Sequence, residues 1–428
     1  MSDGLTPASF TMGGLIFCYT STFDKLWSTD SIHYGADNAG SFWKPVPPSG
    51  FQVFGSFCHG STNDPNGNRA VLCAQMTTDG TALPPFANPT GFALLWTDKS
   101  TGYHPGNGAC WTMQAPDGYV ALGAVFNNTG DYSAPNIQDY LCVRADLAPT
   151  IGQSVQIWDD QGTGSTFGDL ACYAVLPPPA GQSTQVASGT YLALSPGVFV
   201  ANSTYNDPIV PTPVLLLPLT IHASGTAATP PAMTGPTDPV VSAVEVRAYS
   251  IEVPFTAVTD TNDGYAMDWK LANPVYRIER YDSFQQVGQW DNQSTASPTK
   301  TYSITTGVSQ QTSSQWSANV GVQLSGSDKG KESTPVESES VTLSVSLSVS
   351  FALQFASTDI FSESVTESMS VQVPANSFFL IWQSTSAIKI RRPNDTFLSD
   401  QLSVPLHGKA MQQFDYTTGT VVDPYPST

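Results

Sequence analysis

Charge is scarce in this chain. Asp, Glu, Lys and Arg make up 12% of its 428 residues, about half the share of roughly 25% usual in globular proteins. What charge there is leans acidic, with 35 Asp and Glu against 16 Lys and Arg and a net charge of -19. Such a surface repels phosphate backbones and anionic lipid heads at long range, so nucleic acid is excluded as a partner. Long apolar runs are missing too. No stretch of about 18 apolar residues occurs, which excludes a transmembrane helix. The start, Met1-Ser2-Asp3-Gly4, has no basic n-region, and Leu15-Ile16-Phe17 is too short for a signal core. The expectation is a soluble chain without a signal peptide whose membrane contact is conditional.

Marks of catalysis are equally thin. The five histidines (His33, His59, His104, His222, His407) stand in unrelated contexts, and no HExxH, GxSxG or phosphate-loop pattern occurs. No enzyme activity, cofactor or metal is expected. Cysteine disappears after residue 172. Cys18, Cys58, Cys73, Cys110, Cys142 and Cys172 show no metal-ligand spacing, and buried free thiols are the favoured reading over disulfides. Glycine (34) and proline (33) are plentiful, a composition suited to strands and turns. An all-β fold follows.

The first half repeats itself every 60 to 70 residues. Leu26-Trp27-Ser28-Thr29-Asp30 leads to Phe42-Trp43 and the turn Pro47-Pro48-Ser49-Gly50. Leu95-Trp96-Thr97-Asp98 leads to Cys110-Trp111 and Pro116-Asp117-Gly118. Ile157-Trp158-Asp159-Asp160 leads to Cys172-Tyr173 and Pro178-Pro179-Ala180-Gly181. Three units that cannot bury their apolar faces alone are expected to close about a pseudo-threefold axis as a β-prism. The recurring Trp and Cys positions read as packing, and Asp30, Asp98 and Asp159 as turn residues. FWKPVPPSG (Phe42 to Gly50), APDGYVALGAVF (Ala115 to Phe126), CVRADL (Cys142 to Leu147) and IWDDQGTGS (Ile157 to Ser165) resemble the vacuolar protein sorting 62 family. The resemblance implies a prism module, often thought of as lectin-like, without catalytic residues.

From residue 240 the pattern changes to Ser/Thr-rich alternation. Trp316, Ala318, Val320, Val322 and Leu324 alternate with polar residues in a charge-free stretch. So do Val341, Leu343, Val345, Leu347, Val349, Phe351, Leu353 and Phe355. Between them Asp328 to Glu339 holds six charges, Gly330 and Pro335. Alternation sends one side chain set to each face of a strand. Two such strands and a polar turn read as a hairpin, residues 316–355, with one face for hydrocarbon and one for water. Each arm reaches the roughly 9 to 11 residues a tilted strand needs to cross a bilayer. Only a closed barrel satisfies strand edges in hydrocarbon, so several protomers must each supply a hairpin. Alternation also fits a half-buried sandwich strand.

NQSTASPTKTYSITTGVSQQTSS (Asn292 to Ser314), WSANVGVQLSG (Trp316 to Gly326) and SESVTESMSVQVPANS (Ser362 to Ser377) resemble the aerolysin, epsilon toxin and mosquitocidal toxin family. That resemblance implies a soluble monomer, receptor docking, ring assembly and a β-barrel pore. Relatives are often activated by proteolysis, and Arg391-Arg392 precedes a tail, 393–428, that is a candidate for removal. Glu337, Glu339, Glu363 and Glu367 are candidates for an acid trigger. The expected organisation is a prism head at 1–220, a linker at 221–239 and a pore-forming domain at 240–428. The expected partners are a target-cell membrane, a glycan or glycoprotein receptor of unassigned site and further copies of the chain, acting outside the producing cell and insecticidal by analogy. The rival reading is a non-lytic lectin-like or defence and storage protein.

Overall fold

The computed structural model describes residues 6–32, 35–102, 107–177, 191–205, 211–236, 244–259, 264–322, 345–347, 353–357, 359–398 and 401–425, with backbone only at 345–347 and 423–425. It is an all-β protein built almost wholly of antiparallel sheets.

The threefold repeat of the sequence is a threefold repeat in space. Strand Phe23–Ser28 pairs with Ser41–Pro45, which pairs with Phe57–His59. Gly91–Thr97, Gly108–Gln114 and Ala124–Asn128 repeat this arrangement, as do Thr150–Asp159, Ala171–Leu176 and Phe199–Asn202. Even the irregularity recurs. Trp27 faces Phe42, Trp96 faces Cys110 and Trp158 faces Cys172, and in each copy the register slips at the residue before the Trp. A β-bulge adds one residue and sharpens the local twist. Here Leu26, Leu95 and Ile157 take that place, and each Trp turns inward.

The indoles meet at the axis. Ring centroids of Trp27 and Trp96 lie 5.8 Å apart, Trp27 and Trp158 5.5 Å, and Trp96 and Trp158 6.4 Å, all edge to face. Phe42 and Phe126 stack at 4.1 Å beside them, and Cys58, Cys110 and Cys172 fill the remaining space. Burying an aromatic of this size removes 150 to 250 Å² from water, worth about 4 to 6 kcal/mol per ring before entropy is counted.

A second layer of short strands lies beneath. Leu15–Thr20 pairs with Val71–Ala74, Cys142–Arg144 with Phe86–Ala87, and Tyr191–Leu194 with Leu215–Pro218. Phe17, Leu72, Leu141, Leu192 and Leu217 of this layer share one core with Ile251, Ile278, Ile388, Trp316 and Leu353 of the second half. The two halves therefore bury a common surface. Ala8 N–H donates to the Leu271 carbonyl at 2.9 Å, and the hydroxyls of Tyr19 and Thr256 lie 2.8 Å apart across the junction.

The second half is built on a six-stranded antiparallel sheet, ordered Ile221–Ala223, Val246–Pro254, Val275–Asn292, Ser377–Arg391, Leu402–Asp415 and Thr420–Tyr425. Ile221–Ala223 comes from the stretch read as a linker and is an edge strand. The central strands run 18, 15 and 14 residues, far beyond the usual length of about 5 to 6. Ser377–Gln383 is buried at seven consecutive positions, so both faces of the sheet are covered at that end.

Candidate functional site

A two-stranded ribbon stands on this sheet. Thr299–Thr306 pairs with Val365–Gln372. Tyr302, Ile304 and Val371 pack against Phe379 and Ile381 of the sheet beneath. The other face is hydroxyl-rich, with Thr305 and Thr366 in contact across the strands at 3.0 Å. Everything between Thr306 and Val365 is thus a closed excursion whose two ends are already paired.

The first arm of the expected hairpin departs from expectation. Instead of a strand, residues Gln310–Val320 form a helix. Ser309 caps it, its Oγ accepting from the Thr312 N–H at 3.2 Å, and Gly321 ends it at φ +70°. Ser313, Trp316 and Val320 are buried and Ala318 is exposed. The spacing of three and four residues fits a helix as well as alternation fits a strand, and here tertiary packing decides between them. Ser313 Oγ also donates to the Phe361 carbonyl at 2.5 Å, and Thr259 N–H to the Val320 carbonyl at 2.7 Å. Val322 is buried just past the helix end, while Leu324 lies outside the described residues.

In the second arm, Val341, Leu343, Val349 and Phe351 lie outside the described residues. Val345–Leu347 is a strand, and it pairs with the head: Leu194 faces Val345 and Leu192 faces Leu347. Leu353 is fully buried and Phe355 packs against the shared core. Arg280 clamps this end, with its guanidinium 4.4 Å from the Phe355 ring centre and its Nη1 donating to the Leu353 and Gln354 carbonyls at 3.3 and 2.9 Å. The acidic candidates divide as well. Glu363 and Glu367 sit by the ribbon and on it, whereas Glu337 and Glu339 lie outside the described residues.

Arg391 and Arg392 are held in place. Arg391 ends a central strand and donates through Nε to Glu279 at 2.9 Å. Glu279, with 0% of its side chain exposed, also receives Arg247 at 3.2 Å and the Tyr281 hydroxyl at 2.8 Å. Arg392 is 8% exposed and its N–H donates to the Thr396 carbonyl at 2.8 Å. The tail beyond supplies Leu402–Asp415, which pairs along most of Ser377–Arg391. A protease would have to unravel the sheet to read this dipeptide, and removing the tail would strip its last two strands, Leu402–Asp415 and Thr420–Tyr425, leaving Ser377–Arg391 as an open edge.

The head carries an open cleft of about 690 Å³ lined by Met76, Thr77, Thr78, Pro84, Phe86, Ala87, Asn88 and Tyr119. Its rim is rigidly built. Arg144 reaches into loop 79–83, donating to Asp79 at 2.8 Å, Thr81 at 2.6 Å and the Leu83 carbonyl at 2.8 Å, while its Nε binds Asp146. The Tyr119 hydroxyl donates to the Pro84 carbonyl at 2.8 Å, fixing the ring at the cleft wall. Thr81 and Arg144 together hold the Asp79 carboxyl down to about 2. Sequence reasoning passed over this cleft; the one available signal was Arg144 two residues before Asp146 in CVRADL.

The axis carboxylates serve the fold. Asp98 accepts from the Gly108 N–H at 2.9 Å and the Tyr132 hydroxyl at 3.0 Å; Asp160 accepts from the Leu170 N–H at 2.9 Å, the Trp96 indole at 2.6 Å and the Tyr205 hydroxyl at 2.7 Å. Thr29 occupies the equivalent position in the first copy, accepting from Gly40 N–H at 3.1 Å. The matching residue is thus Asp160, one place beyond the expected Asp159, which instead caps the Gln161 N–H at 3.2 Å. Burial raises both Asp98 and Asp160 above the ordinary carboxylate range. All six cysteines are buried thiols. Among the described residues, no group of three His, Cys, Asp or Glu could hold a metal ion.

Residues 1–208 match the family model described as vacuolar protein sorting-associated protein 62. No curated protein matches the chain. Among solved structures, GNIP1Aa from Chromobacterium piscinae is similar over 45% of this chain and 34% of its own, at 23% identity and a TM-score of 0.35; the match spans about a third of that protein. Cry35Ab1 is similar over 95% of this chain and 91% of its own, at 9% identity and a TM-score of 0.30. The family match thus covers the three repeats of the head, from the first strand through Phe199–Asn202.

Proposed function

We propose that the chain is a soluble pore-forming toxin. Its head docks on a glycan or glycoprotein of the target cell. Several copies then assemble, and each contributes one amphipathic hairpin to a shared β-barrel. The observation that carries this reading is the paired ribbon Thr299–Thr306 with Val365–Gln372. It brackets a segment in which both arms alternate without charge, and both ends of that segment are already paired in the folded protein. A lone hairpin cannot satisfy its edges in hydrocarbon, so assembly is built into the mechanism. Insects are the target suggested by the sequence resemblance to mosquitocidal toxins.

The cleft beside Tyr119 suits a neutral sugar. Its wall holds an aromatic ring fixed in place and its floor holds hydroxyl and amide groups, with no charged side chain among its lining residues. Such pairing of a flat apolar face with a few polar groups is the usual make-up of a small-ligand site.

A reversible lock tests the pore. Ala193 and Ser346 face each other across the head strand and Val345–Leu347, so Ala193→Cys with Ser346→Cys should form a disulfide there. Dye release from vesicles of susceptible membrane should stop in the oxidised protein and return on reduction. Equal release from the locked form would overturn the reading. Sugar binding without release in any form would favour the non-lytic lectin.

A further inference from the structure

Two of the buried thiols face each other. On the antiparallel pair Leu15–Thr20 with Val71–Ala74, Cys18 stands directly opposite Cys73, and a hydrogen bond joins the two sulfurs. Residues opposed in this way have Cα atoms about 4.5 to 5.5 Å apart, inside the about 4.4 to 6.8 Å that a disulfide spans.

The other two copies of the repeat differ at this place. Leu72-Cys73 of the first copy corresponds to Leu141-Cys142 of the second and Leu215-Leu216 of the third, since Leu72, Leu141 and Leu215 all enter the shared core. Cys142 faces Ala87, and Leu216 faces Ala193. A methyl group is therefore enough to pack here, and only the first copy sets a second sulfur across the ladder. The axis thiols are arranged otherwise. Cys58, Cys110 and Cys172 come from three different sheets, and although Cys172 is hydrogen-bonded to Cys58, the packed indoles and not a strand register set their spacing.

Chemistry limits when a bond can form. Both Cys18 and Cys73 are buried, and burial together with the adjacent thiol pushes Cys73 well above the ordinary thiol range, so it is a poor nucleophile in the closed fold. Opening of this layer, or folding itself, must admit the oxidant. We infer that Cys18 and Cys73 are an oxidisable pair that closes into a cross-strand disulfide when the chain meets a small-molecule disulfide such as oxidised glutathione. One thiolate attacks the S–S bond of the oxidant and releases one glutathione; the second displaces the other glutathione from the mixed disulfide, and the two protons leave on the two glutathione thiols. The chain enclosed between Cys18 and Cys73 holds the whole first sheet of the prism, with Trp27 and Phe42. Such a crosslink acts chiefly by removing freedom from the unfolded chain. It would lock the first copy of the repeat in an oxidising medium, whether or not the chain ever inserts into a membrane.

The full chain is held with oxidised glutathione in urea just below its unfolding midpoint, free thiols are blocked with iodoacetamide in denaturant, and peptide masses are read. Cys18 and Cys73 should be linked to each other in most molecules. The urea midpoint should rise by at least about 0.5 M and fall back on adding dithiothreitol. Cys18→Ala, which reproduces the arrangement of the other two copies and so should fold, should abolish both the link and the shift. Cys18 and Cys73 still open to iodoacetamide, or a Cys58–Cys172 link formed in preference, overturns the pair. A Cys18–Cys73 link without a higher midpoint overturns the lock.

Discussion

The head and the long-stranded half solve the same problem differently. In the head, strands of two to ten residues close around an axis where Trp27, Trp96 and Trp158 meet, and each copy needs the other two to bury its indole. Local sequence and global fold agree there, down to a bulge repeated at the same place, which is what a single deep minimum requires. In the second half, strands of 14 to 18 residues run side by side with register shifts at Gln286/Gly288 and Gln383/Thr385, and Gln310–Val320, whose spacing fits a helix and a strand alike, lies in the excursion between two of them. The difference teaches that a repeat writes one packing solution without ambiguity, while a short segment of mixed periodicity takes its form from what it packs against.

The sharpest way to break this comparison is to remove one Trp from each region. Trp96→Ala takes a fully buried ring from the axis and leaves Asp160 without its indole donor; a loss of about 3 to 5 kcal/mol in urea unfolding is expected. Trp316→Ala should loosen mainly 308–322, seen as faster amide exchange there with protection at the axis unchanged. Equal global destabilisation by the two would mean that the helix is as integral as the axis.

Next in size is Glu279→Gln. The buried carboxylate holds Arg247, Arg391 and the Tyr281 hydroxyl across neighbouring strands. Both arginines reach water, with 45% and 22% of their side chains exposed, so they can be rehydrated, and a loss of about 2 to 3 kcal/mol is expected from the charged hydrogen bonds. Chemical unfolding followed at the Trp382 end of the sheet would measure it. A smaller effect belongs to Gly321→Ala. A Cβ there would meet Thr259 Oγ1 at 2.5 Å, in a backbone conformation with φ +70°, so about 1 to 2 kcal/mol should be lost locally.

How far the sequence alone led follows the same divide. Trp27, Trp96 and Trp158 were visible because a repeat writes each packing solution three times. Asp160 was legible too: counting two residues on from each Trp reaches Thr29, Asp98 and Asp160, and the doubled Asp159-Asp160 hid which of the pair matches. The arm starting at Trp316 reads as a strand because Trp316, Ala318 and Val320 alternate; Ser309 and Gly321, a good N-cap and a good C-terminal stop, are the signals for the helix Gln310–Val320. The pairing of Val345–Leu347 with Tyr191–Leu194 joins residues more than 150 apart, and no local pattern encodes such a contact. The cleft depends on Arg144 reaching loop 79–83, again a long-range contact.

The mildest perturbation is acid, and it separates the rim of the cleft from the axis. Burial raises the folded-state pKa of Asp98 and Asp160 above the ordinary 3.8. Their contribution is therefore fully present below that value and lost as pH rises through the raised one. Asp79 behaves oppositely. Thr81 and Arg144 lower it to about 2, so its contribution is present above 3.8 and fades as pH falls toward 2. Between these values the axis carboxyls are already protonated and still accept from Gly108, Leu170 and the two tyrosines, while the clamp on loop 79–83 weakens. Amide exchange at Asp79 to Leu83 should rise on titration from pH 4 to pH 2 before exchange at Trp27, Trp96 or Trp158 does. Arg144→Gln should reduce that pH dependence without abolishing it, because the Thr81 hydroxyl, the largest cause of the depression, remains; axis exchange rising first would mean that the buried carboxyls, and not the rim, set the acid limit of the head.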